Sequence, residues 1–172
     1  MTLPDVIVIR GAPGSGKSET AKSLAARLGH GSRVEVDTLR AMIVPVNWTD
    51  QQEHTAVLSI AVGVVVGFIG LGHRPVIVVD TFSGDKLGRF LGELGAALAD
   101  TKVRAFSLSP SWPALRARVE SRPDGGFKDL HICEKLNSDV PRQLLTGELL
   151  IDNSSLTPEG SAEMLLRACQ GG

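Results

Sequence analysis

Residues 11–18, Gly-Ala-Pro-Gly-Ser-Gly-Lys-Ser, have the types and spacing of a loop that binds phosphate groups. Glycines in such a loop let the backbone turn its N–H groups toward an anion. The lysine would reach the β- and γ-phosphates of a nucleotide, and the final serine would offer its hydroxyl to Mg²⁺. We therefore predict a nucleotide-binding loop formed by Gly11, Ala12, Pro13, Gly14, Ser15, Gly16, Lys17 and Ser18.

The residues on both sides of this loop support the same prediction. An apolar run at 6–9 comes directly before the loop and predicts a buried strand, and a helical pattern over 19–28 follows it. The positive end of that helix dipole would point at the bound phosphates. Strand, loop and helix thus occur in the order that phosphate binding requires.

Two carboxylates follow two further predicted strands. Apolar runs at 34–36 and 76–79 are followed directly by Asp37 and Asp80. In a parallel sheet the carboxyl ends of the strands meet at one edge, so both carboxylates would lie beside the phosphate loop. Asp80 is predicted to hold Mg²⁺, directly or through a water, and the alternative is that it caps the next segment.

Asp37 and Arg40 are candidates for binding the acceptor of a phosphoryl group. Asp37 could orient an acceptor hydroxyl and take its proton, while Arg40, one helical turn later, could bind a phosphate or carboxylate of the acceptor. The alternative is that Asp37 caps a helix and Arg40 lies in solvent. Residues 47–54 could also line the acceptor pocket, although Trp48 and His54 suit packing and capping equally well.

Two arginines, Arg118 and Arg122, lie four residues apart on one face of a predicted helix. That helix leads into residues 122–128, where proline and paired glycines predict a short, mobile lid. One arginine could stack on a nucleotide base while the other closes over the phosphates. The alternative is an ordinary charged helix face in water.

Length and strand pattern predict a single α/β domain that spans residues 1–172. A chain of 172 residues that is 42% hydrophobic is long enough to bury one core. Short apolar strands that alternate with helical segments are typical of a parallel sheet covered by helices on both faces. Five strands are predicted, at residues 6–9, 34–36, 76–79, 103–108 and 149–151.

Composition limits the classes of partner and the cellular compartment that we expect for this protein. A net charge of −1 and an isoelectric point near 6.4 predict that the chain does not bind long duplex nucleic acid. Cys133 and Cys169 have neither the number nor the spacing of a disulfide framework or zinc site, so we expect buried thiols and a reducing, cytoplasmic environment. The uncharged stretch at 55–72 has the length of a membrane span, but its glycines and neighbouring charges favour a helix packed against the sheet.

The combined pattern resembles the P-loop kinase family of small-molecule, nucleoside and polynucleotide kinases. The resemblance rests on GAPGSGKS, a strand followed by Asp-x-x-Arg, a strand followed by Asp, Leu-x-x-Arg-x-x-x-Arg, and residues 151–159. It is greatest to the branch that contains polynucleotide 5′-hydroxyl kinase domains, zeta-type toxins and chloramphenicol phosphotransferase. It implies a three-layer α/β/α P-loop NTPase fold with a five-stranded parallel sheet, and ATP and Mg²⁺ as cofactors.

The same resemblance implies roles for individual residues. Asp37 would be the general base, Arg118 would lie near the adenine, and Arg122 would contact the transferring phosphate. The segment 152–156, which includes Asn153, would lie beside the adenine. The short lid makes a nucleoside monophosphate a less favoured acceptor.

The function favoured by these residues is an ATP- and Mg²⁺-dependent phosphotransfer to a hydroxyl, on a small molecule or on a nucleic-acid 5′ end. The alternative is a nucleotide-binding protein that does not transfer phosphate, such as an ATPase or a regulatory switch. A GTP-dependent switch would need a guanine-reading Asn-Lys-x-Asp, which residues 135–139 do not match, so adenine is favoured.

Overall fold

A computed structural model describes residues 3–123 and 126–171 of the chain. Over these residues strands and helices alternate, as the sequence predicts. In chain order the elements are β1 (Val6–Gly11), α1 (Lys17–Leu28), β2 (Ser32–Glu35), α2 (Val36–Arg40), α3 (Gln51–Gly70), β3 (Val76–Asp80), α4 (Lys86–Ala97), β4 (Val103–Leu108), α5 (Trp112–Glu120), α6 (Leu130–Asp139), a 3-10 helix (Val140–Gln143), β5 (Leu149–Ile151) and α7 (Pro158–Gln170).

The five strands form one parallel sheet in the order β2-β3-β1-β4-β5. β1 lies at the centre, and all six of its residues are buried. Its continuous apolar run explains this place, because both faces of a central parallel strand are covered by helices. The prediction of a five-stranded parallel sheet is confirmed.

The predicted bounds of β2 are wrong by one or two residues. The strand begins at Ser32 and ends at Glu35, and Val36 is the first residue of α2. Val36 is nonetheless fully buried, because the chain turns there without leaving the core. An apolar residue at the junction fits either element, so burial alone did not distinguish them.

Alternate strand residues build two cores, one on each face of the sheet. On one face Val6, Val8 and Val78 pack with residues of α3 and α4, including Ala61 and Phe90. On the other face the intervening strand residues pack with α1 and α7, among them Ile7, Ile9, Leu24, Phe106 and Leu165. Helices therefore cover both faces, which gives the three-layer α/β/α arrangement.

α3 is, among the described residues, the one helix that is long and apolar enough to cross a membrane by length and composition. Val57, Ala61 and Val65 of this helix are buried in the core beside the sheet. The predicted packing of this segment against the sheet is thus observed.

Cys133 and Cys169 are free and buried, as predicted. Burial raises the pKa of both thiols, and that of Cys169 reaches about 11. Thiols in such positions stay protonated near neutral pH and react slowly.

Candidate active site

The phosphate loop joins β1 to α1 and requires glycine at two positions. Gly14 and Gly16 both have φ of 90°, a left-handed conformation that L side chains rarely adopt. A Cβ atom on Gly14 would also lie 2.5 Å from Val119 Cγ2. α1 begins at Lys17, with Gly16 at its N-cap, so the free N–H groups of its first turn face the loop.

Lys17 is the charged residue of this loop, and it is only 8% exposed. Its Nζ lies 3.4 Å from the carbonyl oxygen of Ala12. Burial lowers the pKa of Lys17, whereas the charges of Asp37 and Asp80 raise it and that of Arg122 lowers it again. Three of the predicted site residues therefore lie within electrostatic range of the same ammonium group.

Asp80, at the end of β3, is 2% exposed and has two protein partners. Its carboxylate accepts a hydrogen bond of 2.7 Å from the N–H of Phe82, and both of its oxygens lie 3.1 Å from His54 Nε2. Asp80 therefore caps the turn that follows β3, which agrees in part with the capping role considered for it above. The N-cap of α4, however, is Asp85. The sequence did not decide whether His54 serves packing or function. In the fold, this residue of α3 contacts Asp80.

Ser18 and Asp80 supply the kind of ligands that Mg²⁺ prefers, a hydroxyl and a carboxylate oxygen. Over residues 3–123 and 126–171 no group of three or more His, Cys, Asp or Glu side chains is arranged to hold a metal. Mg²⁺ in nucleotide sites commonly takes only one or two protein oxygen ligands and completes its shell with phosphate oxygens and water. The residues therefore fit the metal predicted from the sequence.

Asp37 and Arg40 lie on α2, and the alternative roles considered for them are wrong. Glu35, not Asp37, is the N-cap of this helix, and the Asp37 side chain is exposed. Arg40 is not solvated: it is 4% exposed, and its Nη2 donates to the carbonyl oxygens of Asn47 and Trp48 at 3.2 Å each. The Trp48 ring lies over the guanidinium, 5.0 Å from centroid to Cζ.

Lys86 is a buried lysine just after the end of β3 that the sequence did not single out. It begins α4, is 7% exposed, and donates to Gln51 Oε1 at 2.6 Å and to Ser83 Oγ at 3.1 Å. Burial lowers the pKa of Lys86, with Asp80 raising it and Arg40 lowering it. A lysine at the start of a helix looks solvated in sequence, because only the fold brings Gln51 of α3 over it.

A cavity of about 340 Å³ lies beside the phosphate loop and is lined in part by residues of α5 and α7. Arg118 crosses its wall and donates to Ser15 O at 3.3 Å and to Asn153 O at 2.7 Å. The Asn153 amide donates to Ser15 O at 2.8 Å. The lining residues are Gly14, Gly16, Glu19, Thr20, Arg118, Arg122, Asn153, Leu156, Pro158 and Ser161.

Arg118 and Arg122 both reach this cavity, but they do not share a helix face as predicted. α5 ends at Glu120, so Arg122 follows the helix, and its Nη1 donates to Phe127 O at 3.0 Å. Pro123 explains the early end, because a proline disfavours helical backbone at the residue before it. The predicted lid at 122–128 is described only in part, since residues 124 and 125 lie outside the described residues.

Three polar atoms that belong to lining residues of this cavity are buried and have no hydrogen-bond partner among the described residues. They are Thr20 Oγ1, Asn153 Oδ1 and Ser161 Oγ. Buried polar groups in native proteins are nearly always paired, and each unpaired one calls for an explanation. Thr20, Asn153 and Ser161 therefore place unused polar groups in the wall of the cavity.

The sequence matches a protein family described as AAA domain over residues 6–138. The chain belongs to this family. The match covers the phosphate loop and the ends of β2 and β3, and it ends before β5. No curated protein matches this chain significantly.

Solved structures share the fold of this AAA-domain chain over nearly its whole length. A tunicamycin resistance protein of Deinococcus radiodurans has a TM-score of 0.71 at 24% identity, over 98% of this chain and 96% of that one. A gluconokinase of Sinorhizobium meliloti 1021 gives 0.67 at 18%, over 99% and 97%. A shikimate kinase of Bacteroides thetaiotaomicron gives 0.69 at 14%, over 96% and 98%. At these identities the likeness shows a shared P-loop kinase fold.

Proposed function

We propose that this chain is an ATP- and Mg²⁺-dependent phosphotransferase, a P-loop kinase that moves the γ-phosphate of ATP to a hydroxyl group. The observation that carries the proposal is the position of Lys17. Its ammonium lies within electrostatic range of Asp37, Asp80 and Arg122. The groups suited to hold phosphate, metal and acceptor hydroxyl would therefore act around one ammonium group, as phosphoryl transfer requires.

The donor side of the reaction would use the loop, Ser18, Lys17 and Arg122. Loop N–H groups and the first turn of α1 would bind the phosphates, and Lys17 would neutralise charge that grows on them during transfer. Ser18 and Asp80 would hold Mg²⁺, which would supply charge neutralisation at the phosphates. Arg122 would stabilise the transferring group, in keeping with its place at the cavity wall.

The nucleotide base would occupy the 340 Å³ cavity between the phosphate loop and α7. Arg118 would stack on the base, and Asn153 Oδ1, which has no partner among the described residues, would accept a hydrogen bond from it. An adenine amino group is such a donor. Because residues 135–139 do not match a guanine-reading Asn-Lys-x-Asp, ATP is the favoured phosphate donor.

On the acceptor side, Asp37 would act as the general base. The hydroxyl proton would pass to Asp37 as the acceptor oxygen forms its bond to the γ-phosphorus, while the bond from that phosphorus to the bridging oxygen breaks and ADP leaves. The exposed carboxylate of Asp37 favours this role, because an incoming hydroxyl can reach it. We further propose that the acceptor is a small molecule or a nucleic-acid 5′ end, and that residues 1–172 act as one cytoplasmic domain.

Two observations bear on the choice of acceptor. The fold relatives named gluconokinase and shikimate kinase point to small molecules. The sequence resemblance to polynucleotide kinases, zeta-type toxins and chloramphenicol phosphotransferase keeps the nucleic-acid end among the candidates. We favour a small molecule, since the net charge of −1 offers no general attraction to a polyanion.

An ADP-release screen tests this function. Sugars, polyols, nucleosides, antibiotic alcohols and 5′-hydroxyl oligonucleotides are supplied with ATP and Mg²⁺, and products are identified by mass. Wild-type enzyme should release ADP with a matching phosphorylated product. Asp37→Asn should keep ATP affinity and lose about 10²-fold or more in rate, whereas Asp100→Asn, an exposed carboxylate distant in sequence from the site, should behave as wild type.

Acceptor-independent ADP release without a phosphorylated product would instead support the non-transferring ATPase. Loss of folding in Asp37→Asn, seen by circular dichroism, would assign Asp37 a structural role. Both results would contradict the proposed chemistry.

A further inference from the structure

We propose that Arg10 and Glu148 form a buried positioning pair, which holds the Asp80 carboxylate through the backbone of Phe82 in the orientation that Mg²⁺ binding needs. The inference rests on the proposed function, which assigns Asp80 to Mg²⁺. It adds two residues that the sequence did not single out, and neither of them would contact the metal or the nucleotide.

Arg10 lies in β1, directly before the phosphate loop, and forms an ion pair with Glu148. In this pair Nε lies 2.5 Å from Oε1, and Nη2 lies 3.2 Å from Oε2. Both side chains are 1% exposed. Glu148 also accepts hydrogen bonds from the Ser107 hydroxyl and from the N–H of Leu145. The two charges are therefore buried together and balance each other.

The remaining contacts of Arg10 are with main-chain carbonyls of two other segments. Its Nη1 donates to Phe82 O at 3.3 Å, and its Nη2 donates to Gln143 O at 2.9 Å. With the bonds to Glu148, these contacts use four of the five donors of the guanidinium. Arg10 therefore has little capacity left for a ligand, and it connects β1 to the segments that follow β3 and precede β5.

Phe82 links the pair to the proposed metal ligand. Its carbonyl accepts from Arg10, and its N–H donates to Asp80 Oδ2 at 2.7 Å. Its φ is 46°, a left-handed conformation that is costly for a bulky side chain and persists only where surrounding contacts impose it. The Phe82 ring is fully buried and packs against Phe90, with 5.3 Å between centroids. Contacts at the ring and at the carbonyl thus hold this residue with its N–H directed at Asp80.

The position of the pair favours a role beyond stability. Arg10 is in register with Asp80 of β3 and with Ser107 of β4, at the edge of the sheet where the phosphate loop begins. Buried ion pairs are weak evidence for stability, because well-packed apolar side chains of similar volume often stabilise a protein as well. Contacts that orient a metal ligand, in contrast, commonly determine metal affinity. We therefore assign the pair to the orientation of Asp80.

The contribution of Mg²⁺ to nucleotide affinity tests this assignment without turnover. Calorimetry measures the affinity for a non-hydrolysable ATP analogue with saturating Mg²⁺ and again with EDTA, and the ratio of the two affinities is compared among variants. Wild-type protein should bind more tightly with Mg²⁺, and Asp80→Asn should remove most of that gain. The double variant Arg10→Met/Glu148→Met should lower the ratio about tenfold or more, because lost contacts to a metal ligand typically cost about 10–100-fold in metal affinity.

The double variant also separates positioning from stability. It replaces both buried charges by apolar chains, so it should melt near wild type, whereas Arg10→Met alone should melt lower because Glu148 keeps a buried charge without a counter-ion. Arg74→Met is the matched control, since Arg74 pairs with Asp5 at 2.9 Å at the opposite edge of the same sheet. Its ratio should equal that of wild type. A folded double variant with the wild-type ratio would overturn the proposal.

Arg10→Lys gives a milder change that decides the matter if the double variant does not fold. Lysine keeps a positive charge beside Glu148 but lacks the planar fork that also reaches Phe82 O. Amide hydrogen exchange of the nucleotide-free protein then measures the link itself. The Phe82 N–H should exchange about tenfold faster or more in Arg10→Lys, while the Val8 N–H of β1 should exchange as in wild type. Unchanged exchange at Phe82 would show that Arg10 does not hold Asp80, and the proposal would fail.

These outcomes distinguish the inference from the proposed function. A lowered ratio in the variants, with no transfer by wild type to any acceptor, would keep the positioning pair and remove the kinase function. Transfer by wild type, with the ratio and the Phe82 exchange unchanged in the variants, would keep the kinase function and remove the positioning pair.

Discussion

Lys17 keeps a positive charge in a position where burial opposes that charge. An apolar chain of similar length at this position would remove the desolvation cost without opening a cavity. The native lysine is therefore retained at some expense to the stability of the protein without nucleotide, which is typical of residues kept for function.

Lys17→Met should leave the melting temperature of the nucleotide-free protein unchanged or higher. ATP with Mg²⁺ should stabilise the wild type and have little effect on the variant, because the lysine supplies the charge that meets the phosphates. Turnover should fall by about 10²-fold or more. Melting curves with and without ATP measure both effects, with the exposed Lys22→Met as control. An unchanged ATP effect in Lys17→Met would contradict the assigned role.

Individual residues also show which parts of the candidate site could be predicted from the sequence. The phosphate loop could be predicted because eight adjacent residues carry the whole signal. Arg40, His54 and Lys86 could not be placed, because their burial depends on partners from other parts of the chain. Gln51 meets Lys86 only when α3 packs beside α4. Sequence spacing does not encode such contacts.

At the scale of elements, the sheet was predictable and the ends of its helices were less so. Continuous apolar strands and alternating helices determine a parallel sheet almost on their own. The end of α5 depends on Pro123. The start of α2 depends on whether Val36 belongs to the strand or to the helix. Such ends depend on one or two residues, so they shift more easily than the elements themselves.

Arg118 connects two elements that meet only in the folded chain. Its guanidinium joins the phosphate loop, at Ser15, to the segment after β5, at Asn153. Arg118→Ala should therefore lower both the melting temperature and the affinity for ATP, by about tenfold or more in affinity, since each lost charged hydrogen bond costs on the order of 1.5–3 kcal/mol. Calorimetry with a non-hydrolysable ATP analogue measures the change in affinity.

A matched control for Arg118 lies on the same helix. Arg116 is exposed, and among the described residues its one ion pair is with Glu120 of α5. Arg116→Ala should change affinity little, because exposed ion pairs contribute little. Equal losses in the two variants would show that α5 as a whole, rather than the Arg118 contacts, supports the cavity.

At the scale of the whole molecule, the reactivity of the two thiols shows whether the buried clusters around them open. Cys133 of α6 packs with Ala12 of the phosphate loop and with Leu115 and Val119 of α5, whereas Cys169 of α7 lies in the core that α1 and α7 cover. A thiol reagent near neutral pH should leave both unmodified in the native protein and modify both after denaturation. Reaction of the native protein would show that one of these clusters opens readily.

Stability should fall as pH rises above about 9, in part because of Cys169. The unfolded thiol loses its proton near 9.0, whereas the folded one keeps it to about 11. The unfolded state therefore binds fewer protons in this window, and the free energy of unfolding decreases with pH. Cys169→Ala should show a shallower decrease between pH 9 and 11, measured by urea unfolding. An identical slope in the variant would contradict the shifted pKa.

The position of α7 has a consequence for how the protein is made. Its first turn supplies Pro158 and Ser161 to the cavity wall, and the helix packs against α1, which begins at the phosphate loop. During translation the phosphate loop is therefore made well before the wall that completes the cavity, which is made only near residue 160. Nascent chains would complete the proposed nucleotide cavity only after α7 has been made, so retention on immobilised ATP should distinguish chains that contain α7 from chains interrupted before it.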